Sequence, residues 1–210
     1  GEDVQPNKLR SLISRMLEWF AIITIEVDSE EDAFNIFESL NERGEPLIIG
    51  DLVKNMLIQK VPESERSGLD ITWGEIMGNL KGVENKVDQF LTYSWYSRRF
   101  FAAGEKLSKK NLFKNIKKNI ANDTASVLSY TSNLNTDSEA FAALIDPNNH
   151  PSFWDDENTV NYLSSLKSLN AERTLPCLMT AHRKFGTDKN TFREFVRLIL
   201  SFFFRFKTFQ

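Results

Sequence analysis

Apolar residues recur at three- and four-residue intervals along most of the chain. The first such set is Leu9, Leu12, Ile13, Met16, Leu17 and Phe20. Comparable sets surround Trp73, Leu112 and Phe141. This spacing places apolar side chains on one face of a helix, and the intervening polar residues then face solvent. The pattern predicts a mainly α protein built as a multi-helix orthogonal bundle.

One short stretch breaks the helical pattern near the N-terminal end. Ile23, Ile25 and Val27 alternate there with Thr24 and Glu26, which is the period of a β-strand. We therefore predict one isolated or edge β-strand near residues 21–27. Because a lone strand leaves backbone groups unpaired, it either pairs with another part of a longer protein or lies extended against the helices.

Polar and proline-bounded stretches divide the helical pattern. Pro62 to Gly68 is polar and predicts a loop at a domain boundary. We accordingly assign residues 1–61 to the end of an N-terminal domain and residues 69–210 to a helical bundle domain. The stretch from Asp146 to Trp154 contains Pro147 and Pro151 and predicts a second loop.

Composition narrows the class of protein and its compartment. The 210 residues carry a net charge of −3, so any attraction to nucleic acid must be local. The single cysteine, Cys177, excludes an internal disulfide and fits the reducing cytoplasm. No stretch is typical of a signal peptide or a membrane span. The chain starts with Gly1, which favours a fragment of a longer cytoplasmic protein.

A polar corner is predicted between two helices of the N-terminal part. Gly44 suits the left-handed conformation that ends a helix, and Asp51 falls in the first turn of the next helix, where its charge suits the dipole. Lys54 is three residues further on and within reach of Asp51. The candidate site residues are Asn41, Arg43, Gly44, Asp51 and Lys54. Two interpretations remain open: a capped structural corner, or the wall of a cleft that holds a phosphate or nucleotide.

The same corner resembles a segment of one bacterial protein family. Phe37-Glu38-Ser39-Leu40-Asn41-Glu42-Arg43-Gly44, then Pro46-Leu47 and Asp51-Leu52-Val53-Lys54-Asn55, is similar to a segment of GmrSD-type restriction and phage-defence proteins. In that family a ParB/sulfiredoxin-like domain with an Asp-Gly-Gln-Gln-Arg motif hydrolyses nucleotide, a helical region follows, and an HNH-type nuclease domain often ends the protein. The sharp part of the resemblance covers residues 33–57, and it implies that this chain is the central helical region.

The resemblance also implies what this chain lacks. No Asp-Gly-Gln-Gln-Arg run and no HNH-like ligand set occur in the sequence. We therefore expect no catalytic residue, metal or cofactor in this chain, and we expect the parent protein to be an endonuclease that uses a nucleoside triphosphate and a divalent metal. Its partners are then the N- and C-terminal domains of the same protein. Cys177 and His182 lack further ligands for zinc, and we predict that His182 is a core or half-buried histidine.

A basic segment supplies the second candidate site. The residues in question are Arg98, Arg99, Lys110, Lys114, Lys117 and Lys118, with aromatic residues such as Trp95 beside them. Local positive charge with aromatic side chains fits a surface for duplex DNA. The alternative is that the lysines form the solvated face of a helix whose apolar face carries Leu112, Phe113 and Ile116.

The last helix is apolar on most sides near its C-terminal end. Thr191 and Glu194 predict its start as a capping box. The stretch from Ile199 to Phe206 then fits either a central core helix or a contact with a further domain. A non-enzymatic helical protein-interaction module is accordingly the alternative to the restriction-protein function.

Overall fold

The computed structural model describes residues 6–19, 24, 26, 49–99 and 109–208. Contacts divide the chain into two compact units, Gly1–Leu47 and Ile48–Gln210. The element described in the first unit is helix α1, Pro6–Trp19. Thr24 and Glu26, which belong to the predicted strand, have no regular secondary structure, and its remaining residues lie outside the described part.

The second unit is a bundle of helices. They are α2 (Ile49–Gln59), α3 (Glu63–Asn79), α4 (Val87–Ser97), α5 (Lys109–Asn119), α6 (Thr124–Ile145), α7 (Pro151–Trp154), α8 (Glu157–Ser168), α9 (Leu175–Phe185) and α10 (Lys189–Thr208). Single 3₁₀ turns cover Glu84–Lys86, Pro147–Asn149 and Glu172–Thr174. No strand occurs in the described residues, and the prediction of a mainly α multi-helix bundle is confirmed.

Helix α6 lies at the centre of this unit. It is 22 residues long and packs against α3, α4 and α9. Asp123 caps its start, where the side chain accepts a hydrogen bond of 2.8 Å from the Ser126 amide. Phe141 of α6 is fully buried with its ring centroid 5.4 Å from that of Phe90 on α4. The central helix thus holds α4 in place by aromatic packing.

The prediction of a loop from Pro62 to Gly68 is wrong, because α3 begins at Glu63. Pro62 has the extended conformation of an N-cap residue, and Glu63 and Glu65 place negative charge in the first turn, which the helix dipole favours. The polar residues that suggested a loop form the exposed start of this helix. The division between the two units falls after Leu47, and α2 belongs to the second unit, whereas the sequence grouped residues 1–61 together.

Two other boundaries differ from the prediction. The stretch from Asp146 to Trp154 is not a plain loop, since it contains a 3₁₀ turn and the short helix α7, each started by a proline. Helix α10 begins at Lys189, before Thr191. The cap is Asp188, whose carboxylate accepts from the Thr191 amide at 3.1 Å and from the Thr191 hydroxyl at 2.7 Å.

Candidate nucleic-acid interface

The end of the family-like segment forms the start of α2. Asp51 lies in the first turn, as predicted, and its side chain is exposed. The amide of Ile49 donates a hydrogen bond of 2.9 Å to Asp88 of α4, so the cap of α2 comes from another helix. The sequence alone gave no signal for this cap. The hydrogen bond to Asp88 supports the first turn of α2, although that turn contains Gly50. Asn41, Arg43 and Gly44 lie outside the described residues.

Lys54 extends from α2 towards α3. Its ammonium nitrogen lies 2.5 Å from a carboxylate oxygen of Asp70, so its ion-pair partner is Asp70 and not the predicted Asp51. The Asp70 side chain is exposed to solvent and the Lys54 side chain is partly exposed. An exposed pair of this kind contributes little to stability, and it leaves Lys54 accessible beside α2.

Helix α5 carries most of the predicted DNA-contact lysines. Its range contains Lys110, Lys114, Lys117 and Lys118 and no acidic residue. Leu112 and Ile116 are fully buried, which fixes the apolar face of the helix. Lys114 and Lys118 are exposed and Lys117 is half-buried, while the side chain of Lys110 lies outside the described part.

Lys60, directly after α2, adds positive charge to the end of α5. Its ammonium group donates to the backbone carbonyls of Lys117 at 3.3 Å and Ile120 at 2.9 Å. The Lys117 carbonyl belongs to the last turn of α5 and Ile120 directly follows the helix, and a cation is favourable at this end of a helix. Partial burial, and next the charge of Lys117, lower the pKa of Lys60. Sequence reasoning missed Lys60 because it follows α2 and lies 60 positions before Ile120 in the sequence.

Arg98 is drawn into a buried cluster and not directed to solvent. Its Nε and Nη2 atoms each lie 2.7 Å from an oxygen of Asp137, a bidentate ion pair. The Asp137 side chain is only 2 % exposed. A guanidinium held in this way has few donors left for DNA, so Arg98 serves to join α4 to α6.

Two further residues complete the cluster around Asp137. Arg183 of α9 donates to Asp137 at 3.0 Å and also to the backbone carbonyl of Ser97. The hydroxyl of Ser94 donates to Asp137 at 2.6 Å. Sequence reasoning missed this cluster, although a signal existed: Asp137 falls at helical spacing between the apolar residues Leu134 and Phe141.

Arg99 lies in a different environment from its neighbour Arg98. Its guanidinium carbon is 3.4 Å from the centroid of the Trp95 ring, a cation–π contact. Burial lowers the pKa of Arg99, although an arginine remains protonated in any case. No carboxylate in the described part of the chain pairs with Arg99. Arg99 lies just after the end of α4, and α4 contacts α5.

His182 is half-buried, as predicted. Its ring lies among Phe153, Trp154 and Phe192, with centroid distances of 5.3, 5.6 and 5.6 Å. Burial, and next the charge of Arg183, lower the pKa of His182. Among the described residues, no three histidine, cysteine or acidic side chains are placed to hold a metal ion.

Comparison of the chain with models of known families, characterised proteins and solved structures finds no match. Within the described residues no helix is both long enough and apolar enough to cross a membrane. Among the described residues at the α4–α5 end of the bundle, Lys114 and Lys118 carry positive charge and are exposed, and Lys60, Arg99 and Lys117 carry positive charge and are half-buried. An arrangement of this kind can bind a polyanion through its phosphates.

Proposed function

We propose that this chain is the central helical region of a GmrSD-like restriction or defence protein. In this role it links a nucleotide-hydrolysing ParB-like domain to a DNA-cleaving nuclease domain, and α5 contacts duplex DNA. The family assignment depends on the segment that ends in Asp51 to Asn55. The proposed DNA contact depends on the lysines of α5.

The observation that carries the DNA contact is the charge of α5. This helix has no acidic residue, and its two exposed lysines, Lys114 and Lys118, form no ion pair with a carboxylate of the described residues. Exposed positive charge that is not paired with a described carboxylate can contact phosphates, and release of counterions from DNA then drives binding. Lys60 at the end of the helix adds to this potential.

A titration of a labelled duplex of mixed sequence tests this contact. The double variant Lys114→Glu/Lys118→Glu is compared with the natural chain by fluorescence anisotropy over a range of salt concentrations. We expect the variant to bind at least about tenfold more weakly, with a salt dependence about 1 unit lower per lysine replaced.

The matched control is Lys81→Glu/Lys184→Glu. These two lysines are also exposed, lie away from α5, and give the same change in net charge. We expect the control to bind DNA nearly as well as the natural chain. Equal losses in both double variants would show that only the total charge matters and that α5 is not the contact.

The reading frame that encodes the chain tests the family assignment. An Asp-Gly-Gln-Gln-Arg motif upstream of Gly1 supports the proposal. A complete upstream reading frame without this motif contradicts the role as a linker between the two domains, whatever the result of the DNA titration.

A non-enzymatic protein-interaction module is the second candidate function. One observation favours it: Leu198, Phe202 and Phe206 recur every four residues on α10, and all are more than half exposed. Apolar side chains exposed together often mark a protein interface. The DNA titration separates the two functions, because such a module gives no salt-dependent binding to DNA.

A further inference from the structure

A cavity of about 300 Å³ lies within the second unit, away from α5. It is bounded by the C-terminal end of α6, by α8, by the start of α9 and by the turn between α3 and α4. Its apolar lining consists of core side chains that are almost fully buried, including Leu144, Leu163, Leu166, Leu175 and Leu178. This volume falls at the lower end of the range for small-molecule sites.

Four charged side chains, two of each sign, line the same cavity. Lys86 lies 2.6 Å from Glu172, and Lys167 lies 2.8 Å from Asp146. The side chains of Glu172 and Lys167 are 46 % and 52 % exposed, so they stand at the mouth in contact with water. Edges of leucine side chains and four charged groups therefore line one cavity that is open to solvent.

Both acidic groups at the mouth are ionised at neutral pH. Hydrogen bonds from Lys86 and from Gln89 lower the pKa of Glu172. A hydrogen bond from Lys167 lowers the pKa of Asp146. The four groups together carry no net charge, so the mouth presents cations and anions side by side.

Because the mouth carries two positive and two negative groups, it favours a ligand that itself carries both charges. A carboxylate that approaches Lys86 or Lys167 also meets Glu172 or Asp146, which repel it, and an amine meets the reverse problem. A molecule with both charges can satisfy both kinds of group. Ion pairs exposed to this degree are weak, so a ligand can join them at little cost.

We propose that this cavity binds a small zwitterion with an alkyl chain, the chemical class of the apolar α-amino acids. The ligand carboxylate lies by a lysine of the mouth, its ammonium group by Glu172 or Asp146, and its alkyl chain among the leucines. Burial of the alkyl chain supplies affinity, and the four charges supply selectivity. This site is independent of the proposed contact between α5 and DNA.

Titration with L-norleucine, hexanoate and pentylamine tests the proposal, because the last two each keep the alkyl chain and lose one charge. We expect saturable calorimetric binding of norleucine, at least about tenfold tighter than that of either analogue. In methyl NMR spectra the largest shifts are expected at Leu163, Leu166, Leu175 and Leu178. Equal binding of the three compounds, or no saturation by norleucine up to about 10 mM, overturns the proposal.

Variants at the mouth provide the second part of the test. Glu172→Gln and Lys167→Gln change exposed residues, so both variants should fold. Each is expected to weaken norleucine binding by about fivefold or more. The matched controls Glu139→Gln and Lys184→Gln alter exposed residues outside the cavity and should bind normally. Unchanged affinity in both mouth variants contradicts the assigned role of the charges.

Discussion

Positive charge occurs in two contrasting settings in the second unit. Around Asp137, the guanidinium groups of Arg98 and Arg183 are held by a carboxylate that is almost completely buried. On α5, Lys114 and Lys118 are exposed, and no acidic residue lies within the same helix. Around Asp137 the positive charge is paired with a carboxylate inside the fold, whereas on α5 the positive charge lies at the surface.

The contrast is sharpest between two consecutive residues. Arg98 makes two hydrogen bonds to Asp137, while Arg99 lies over the ring of Trp95. Their positions in the sequence gave no reason to separate them, and both were predicted DNA contacts. The structure shows the first arginine joined to the buried Asp137 and the second packed on the Trp95 ring, and only the second is retained in the proposed DNA contact.

Removal of the buried carboxylate is expected to have the largest effect. Asp137→Asn leaves two arginines without their counter-charge, which should lower the free energy of unfolding by about 3 kcal/mol. Urea unfolding followed by circular dichroism measures this change. The control Glu139→Gln, an exposed residue of the same helix, should change it by less than about 0.5 kcal/mol. Similar values for both variants would mean that the cluster does not stabilise the bundle.

The two neighbouring arginines provide a direct comparison. Arg98→Met should lower the free energy of unfolding by about 2 kcal/mol, because charged hydrogen bonds to Asp137 are lost. Arg99→Met loses only a cation–π contact and should cost about 0.5–1 kcal/mol. The order should reverse for DNA affinity, which anisotropy measures under conditions where both variants are folded. A larger loss of affinity in Arg98→Met would contradict this division of roles.

His182 tests how a half-buried base behaves beside the cluster, where the charges of Glu139 and Asp137 oppose only part of the effect of burial and of Arg183. Its pKa is lowered in the folded state by burial and by Arg183, so below the ordinary value near 6.5 the unfolded chain binds the proton more readily. The stabilisation is complete above that pH and is lost as pH falls through the folded pKa. Unfolding free energies of the natural chain and of His182→Gln, measured from pH 8 to 5, should therefore converge towards low pH. Parallel profiles would contradict the lowered pKa.

The smallest effect on stability is expected at the exposed lysines. Lys114→Glu/Lys118→Glu should change the free energy of unfolding by no more than about 0.5 kcal/mol, although we expect it to weaken DNA binding. Thermal and urea unfolding of the double variant measure this. A marked loss of stability would show that these lysines contribute to the fold, as the cluster around Asp137 does.

Periodicity was enough to predict the helical class and most of the helices. It failed where polar residues begin a helix, as at Glu63, because an exposed first turn and a loop have the same composition. It also missed every contact between distant helices. Asp88 reaches Ile49 across 39 positions and Lys60 reaches Ile120 across 60, and no local pattern encodes such pairs.

The cap that Asp88 provides for α2 has a consequence for the order of folding. The Ile49 amide donates to a carboxylate that lies 39 positions further along the chain, so this hydrogen bond of the first turn forms only when α4 has docked. A contact between distant segments forms only after the chain between them has lost the entropy of loop closure, so such contacts tend to form late in folding. The start of α2 should therefore still be unformed in the transition state for folding. Replacement of Asp88 by Asn should then mainly accelerate unfolding and leave the folding rate nearly unchanged.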